Sequence, residues 1–170
     1  MSDKRYFGKY RGMVINNIDP MQMGRLMVQV PDISGLIPST WAMPCFPVTG
    51  KQMGVWVLPV IGSGVWVEFE QGDPDYPIWV GCFPGSTADV PALALAGNPV
   101  SPSIVLQTSL QNTLMISDVA GPAGGILLKT TTGAMISISD IGITISNGKG
   151  AVITMTGPTV DINAGALTII

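Results

Sequence analysis

Histidine is absent from the 170 residues, which removes Cys/His zinc sites and every catalytic arrangement that uses an imidazole as acid, base or triad member. Charge is scarce too: Asp, Glu, Lys and Arg make up 11% of the chain, against roughly 25% in ordinary soluble domains. The formal net charge of -3 comes with no basic stripe, which argues against a partner held through nucleic-acid phosphates. No run approaches the ~18 apolar residues of a membrane helix. The opening "MSDKRYFGKY" has no apolar stretch behind its charges, so synthesis in the cytoplasm without a secretory leader is expected. Only two cysteines occur, Cys45 and Cys82, both in Pro-flanked apolar contexts, "MPCFP" and "VGCFPG"; buried free thiols are expected rather than a disulfide.

What is present is apolar and turn-rich: 46% hydrophobic residues, 21 glycines and 14 prolines, enough for one ordinary domain or two small ones. The chain has two grammars. The four tryptophans, Trp41, Trp56, Trp66 and Trp79, lie in the first half, whereas residues 91–170 hold no aromatic and only five charges, Asp118, Lys129, Asp140, Lys149 and Asp161. The boundary falls in "STADVPALALAGNPVSP". This predicts a domain over 1–85, a connector over 86–102 with a short helical turn at "ALALA", and a second domain over 103–170.

In the first half, Leu26, Val28 and Val30 alternate with Met27 and Gln29, the period of a half-buried strand. "GVWVLPV" and "GVWVEFE" read as a hairpin around "IGSG", with Pro59 marking an edge or bulge, and "PIWVGCF" supplies another strand. Five or so short strands without an amphipathic helix predict a small closed barrel of the OB type. In the second half strands are predicted near 103–107, 112–117, 125–130, 134–139, 141–146, 151–156, 159–163 and 166–170. Ile136, Ile143, Ile153, Val160 and Leu167 recur at an imperfect spacing that leaves one strand and one corner per unit, as in β-helices and β-prisms.

"GAMISISDIGITIS" sharpens this. Ile136 and Ile138 lie on one parity, Ile141, Ile143 and Ile145 on the other, with Asp140 between them. A corner at Asp140 keeps both rows facing one axis, with Ser137, Ser139, Thr144 and Ser146 outside. Strands of this kind have no second layer to cover the apolar row. Leaving about ten aliphatic side chains exposed forfeits on the order of 15 to 30 kcal/mol, which self-association recovers. The alternation alone favours an ordinary sandwich or a single-chain solenoid; the missing aromatics and close corners shift the reading to an intertwined narrow stalk. The expected core between chains is Ile136, Ile138, Ile141, Ile143, Ile145, Ile153, Met155, Val160 and Ile162.

Candidate chemistry is thin. Glu68 and Glu70 are two apart and would share a strand face, a geometry open to paired-carboxylate glycoside cleavage, though a solvated face accounts for it more simply. Asp73 and Asp75 in "GDPDYP" are turn formers. No GxSxG, P-loop or dinucleotide fingerprint occurs, and the hydroxyls of "TTTGAMIS" have no base beside them. The tryptophans with Tyr76 and Phe69 could stack bases or sugars, which keeps an OB-type glycan or single-stranded nucleic-acid module as an alternative; barrel core or subunit interface is the expected role. No catalytic residue, metal or cofactor is assigned.

"YRGMVINNIDPMQMGRLMVQVP" and "GVWVLPVIGSGVWVEFEQGDPDYPIWVGCFPG" resemble the N-terminal OB domain of the spike family of contractile injection machines, phage baseplate assembly protein V and the VgrG-type spikes. The matching residues are Gly12, Val14, Asp19-Pro20, Gly24-Arg25, Pro59, Gly62 to Gly64, Glu68, Phe69, Gly72-Asp73-Pro74 and Gly81, covering about the first 85 residues. The resemblance implies an all-β chain, an OB-fold barrel followed by a trimeric intertwined β-helix or β-prism needle. It also implies a non-enzymatic role as central spike: a homotrimer docked under the tail hub and tube of a phage tail or injection machine and driven through the target cell envelope when the sheath contracts. The connector is too short for the lysozyme domain some relatives insert. Without histidine the iron-binding His-x-His tip of some phage spikes is missing, so the apolar end at Leu167, Ile169 and Ile170 is expected to seat a separate tip protein of the PAAR kind.

Overall fold

The computed structural model describes residues 4–169, which form two compact units divided between Asp89 and Val90. Among the described residues no helix is long and apolar enough to cross a membrane.

The first unit is a closed barrel. Its elements run β1 (Tyr10–Asn16), β2 (Leu26–Gln29), a single turn α1 (Pro31–Ser34), β3 (Pro38–Pro44), the two-residue strands β4 (Thr49–Gly50) and β5 (Met53–Gly54), β6 (Gly64–Phe69) and β7 (Pro77–Phe83). The order around the barrel is β1-β2-β3-β7-β6, closed by pairing of β6 with β1; only β3 and β7 run parallel. Strand alternation fills the interior: Leu26 and Val28 of β2 and Val65, Val67 and Phe69 of β6 point inward, joined by Val14, Val30, Ala42 and Trp79. The Trp79 indole is satisfied inside, donating to the Gly24 carbonyl at 3.0 Å. Gly12 lies where β1 crosses this layer; a Cβ there would stand 3.0 Å from Val67 Cγ2 and 3.2 Å from the Gln29 carbonyl oxygen.

Two expectations for this unit are corrected. "GVWVLPV" does not form a hairpin with β6: residues 55–60 lack strand pairing, and Val55, Trp56, Val57 and Val60 are exposed. β6 already has β1 on one edge and β7 on the other, so no edge is open to a further strand. The fifth strand is instead β3, "PSTWAMP", whose terminal prolines hide it from a periodicity reading. Cys45 and Cys82 are free thiols, as expected, but both are exposed rather than buried. Cys45 follows β3 and Cys82 is next to last in β7, outside the barrel's inner layer.

The second unit opens with the short helix α2 (Ala92–Leu95) and continues as eight strands: β8 (Ile104–Gln107), β9 (Thr113–Ser117), β10 (Gly125–Lys129), β11 (Met135–Ser139), β12 (Gly142–Ser146), β13 (Val152–Thr156), β14 (Thr159–Ile162) and β15 (Leu167–Ile169). They pair in sequence order, every neighbour antiparallel, in one up-and-down sheet. Within one chain the strands therefore do not coil as in a β-helix; each loop is a reversal. Asp140 and Ile141 form the two-residue turn of the β11–β12 hairpin, where Ser139 pairs with Gly142.

Loop length explains the parity shift. An antiparallel pair joined by an even number of residues puts odd positions opposite even ones, and an odd-length loop preserves parity. The two-residue turns at 140–141 and 157–158 flip it; the five-residue loops at 130–134 and 147–151 do not. Side chains of one kind thus stay on one face through every reversal.

Candidate functional site

The register of the eight-stranded sheet aligns two uninterrupted aliphatic ladders on one face. The first runs Ile104, Ile116, Ile126, Ile138, Ile143, Met155 and Val160, with Ile169 at the eighth register position. The second runs Leu106, Leu114, Leu128, Ile136, Ile145, Ile153, Ile162 and Leu167. No polar residue interrupts either. In the single chain ten of these side chains stand in water, those of Ile104, Leu106, Ile116, Ile126, Leu128, Ile136, Ile138, Ile145, Met155 and Leu167, while Leu114, Ile143, Ile153, Val160 and Ile162 are half-buried. Leu106, Leu114, Leu128, Ile136 and Ile145 line an open apolar groove of about 560 Å³.

The opposite face has different chemistry. Its central row reads Val105, Met115 and Leu127, then Ser137, Thr144, Thr154 and Asp161. Ser139 and Ser146 share that side, at the register positions of Gly142 and Met135. The sheet is thus two-faced along its length, aliphatic on one side and, from β11 onward, hydroxyl-bearing on the other. Neighbouring aliphatics across strands are the stabilising unit of such a sheet, but pairs left in water contribute little until a second layer covers them.

The core residues expected from the sequence are brought together with one exception. Ile136, Ile138, Ile143, Ile145, Ile153, Met155, Val160 and Ile162 occupy the ladders; Ile141 does not. It sits in the β11–β12 turn, exposed and off both rows, because a two-residue turn takes Asp140 and Ile141 out of the pairing. The sequence reading also stops short at the other end: Ile104, Leu106, Leu114, Ile116, Ile126 and Leu128 belong to the same ladders. Their strands are continuous aliphatic runs, at 104–106, 114–116 and 126–128, so composition marks each strand but only the register shows which residues join the ladders. At the far end, Leu167 is exposed and Ile169 is in the register, while Ile170 lies outside the described residues.

In the barrel the residues carrying the family resemblance are tied together physically. Asp19, whose side chain is 3% exposed, accepts hydrogen bonds from the backbone N–H groups of Met21 (2.9 Å), Met23 (2.8 Å) and Arg25 (3.2 Å), and Arg25 Nη2 donates to its Oδ1 at 2.6 Å. The Arg25 guanidinium, which also stacks over Trp41, and these N–H groups hold the carboxyl well below the usual carboxylate range. This knot fixes the loop between β1 and β2. Asp73 works similarly on its turn, accepting from the Asp75 N–H at 3.1 Å and pairing with Arg5 at 3.3 Å.

The carboxylate pair weighed for catalysis does not form. β6 ends at Phe69, so Glu68 faces outward to Lys9 while Glu70 begins a short 3-10 turn and is not on the strand face. Among the described residues no group of three or more His, Cys, Asp or Glu side chains could hold a metal ion. The tryptophans divide: Trp79 is core, Trp41 and Trp66 are half-buried beside Arg25 and Arg11, and Trp56 is exposed against Phe46.

An OB-type barrel is thus followed by a sheet whose aliphatic face is open in the single chain, the architecture of a structural protein that assembles through its sheet in the families that the chain matches. Residues 10–83 match the family described as the type VI secretion system/phage-baseplate injector OB domain, and residues 103–168 match the phage baseplate V C-terminal trimerisation domain. No curated protein matches the chain. The chain belongs to the baseplate spike family of phage baseplate assembly protein V.

Proposed function

We propose that three copies pack their aliphatic sheet faces against one another, making a needle with Ile136, Ile138, Ile143, Ile145, Ile153, Met155, Val160 and Ile162 in its core and Ser137, Ser139, Thr144 and Ser146 outside. The needle is the piercing part of a central spike whose OB barrels dock under the tail hub and tube, and which is driven through the target envelope on sheath contraction. The observation that carries this reading is the pair of aliphatic ladders running unbroken through all eight strands and exposed in the single chain, in a segment matching a trimerisation domain. A stack of hydrogen-bonded strands with a dry common core resists bending and local unfolding, which suits a mechanical task rather than catalysis.

Sedimentation of the purified chain tests the assembly: a trimer is expected at micromolar concentration, and a monomer would sink the reading. The apolar end at Leu167, Ile169 and Ile170 is proposed to seat a tip protein of the PAAR kind. Deleting residues 166–170 is expected to abolish binding of that protein while the tryptophan fluorescence of the barrel stays native; unchanged binding would refute the assignment.

A further inference from the structure

Coverage within residues 90–170 is uneven. Among the described residues of this unit the buried side chains are those of Thr113, Met115 and Ser117, all on β9, and no described side chain of β11 to β15 is buried. The cause lies on the face opposite the aliphatic ladders. On β8 to β10 its central row is apolar rather than hydroxyl-bearing, and Leu93, Ala96 and Val119 gather around Met115 and Leu127 at a cavity of about 180 Å³. Side-chain bonds secure this cover: Ser101 Oγ donates to Asp118 at 2.8 Å and Ser103 Oγ to Ser117 Oγ at 2.9 Å. The first three strands therefore have a second layer in one chain; it reaches as far as Ser137 of β11, and no residue of β12 to β15 lines it.

We infer that the interface between copies is built in order. β8 to β10 form the surface on which a second and third copy of this chain first dock, and β11 to β15 acquire their core as association propagates toward β15. The inference rests on the trimer reading above. Each strand pairs only with its sequence neighbours, so order can spread one hairpin at a time from whichever end is already covered. The occupant of the exposed face is another copy because the aliphatic ladders of β8 to β10 continue without a break into the segment that has no cover of its own, within one matched trimerisation domain. A hydrogen bond from the Gly121 N–H to Asp140 Oδ2, 3.1 Å, links the covered part to the first uncovered hairpin.

Hydrogen-exchange pulse labelling during refolding of the full chain from urea tests this order. Amides of Met115 and Leu127 are expected to be protected while those of Thr144 and Thr154 still exchange; simultaneous or reversed protection would overturn the inference. Two truncations on one ladder give a second readout. Leu128→Ala is expected to slow trimer formation by about tenfold or more and leave dissociation nearly unchanged, whereas Ile153→Ala speeds dissociation and leaves formation within about twofold. The opposite partition also overturns it. Wild-type chain that sediments as a monomer removes the trimer reading itself; a trimer whose distal strands order first leaves that reading standing and removes only this one.

Discussion

Asp19 has almost no contact with water and takes all its hydrogen bonds from one short loop, a geometry that serves the charged carboxylate and not the neutral acid. Its contribution to stability has a definite pH sign. The folded-state pKa is depressed, so the contribution is complete above the ordinary carboxylate value near 3.8 and is lost as pH falls through the lower folded value. Asp19→Asn is expected to lower the urea midpoint of the barrel at pH 7, with the gap to wild type closing below about pH 4. All four tryptophans lie in residues 1–89, so tryptophan fluorescence reads this unit alone. Equal midpoints at pH 7 would show that the Asp19 knot is not holding the β1–β2 loop.

At the scale of the strand and hairpin, the sheet depends on backbone approaching backbone. A Cβ on Gly142 would fall 2.0 Å from the Met155 carbonyl oxygen, so alanine there must push β13 away from β12 or twist the hairpin open. Gly157, with a left-handed φ of 54° but nothing within 4 Å, costs only the conformational strain, on the order of 1 kcal/mol. Gly142→Ala is therefore expected to lower the thermal midpoint of residues 90–170 well beyond Gly157→Ala, with tryptophan fluorescence at 25 °C unchanged in both. Equal effects would remove the close approach as the reason for Gly142. Strand positions in this unit were legible because short aliphatic runs stand between turn residues, alternating with hydroxyl residues in "MISIS" and "GITIS" and continuous in "GILLK". Which residue of "SDIG" leaves the pairing was not, since turn length is set by how the two strands close, and parity alone puts Ile141 on the apolar row. The barrel was less legible. "GVWVLPV" has strand composition without a free edge to join, and "PSTWAMP" joins an edge with little strand signal; both outcomes depend on which edges the rest of the barrel leaves open.

For the whole molecule, the decisive question is which face of the sheet is inside, and two adjacent residues answer it. Ile145 belongs to an aliphatic ladder between Ile136 and Ile153, while Thr144, its neighbour on β12, lies on the hydroxyl face between Ser137 and Thr154. Side chains alternate across a strand, so the same new charge at the two positions enters opposite surroundings. Ile145→Asp places three carboxylates around one apolar core, where each must be desolvated or protonated, at a cost of several kcal/mol per chain. Thr144→Asp adds a charge to a face that already carries Asp161 and remains hydrated. Ile145→Asp is expected to sediment as a monomer with a folded barrel, read by native tryptophan fluorescence, and Thr144→Asp as a trimer. The reverse pattern would mean that the hydroxyl row faces the axis, which turns the needle inside out. Loss of the trimer in both variants would mean that each face of the sheet is covered by another chain.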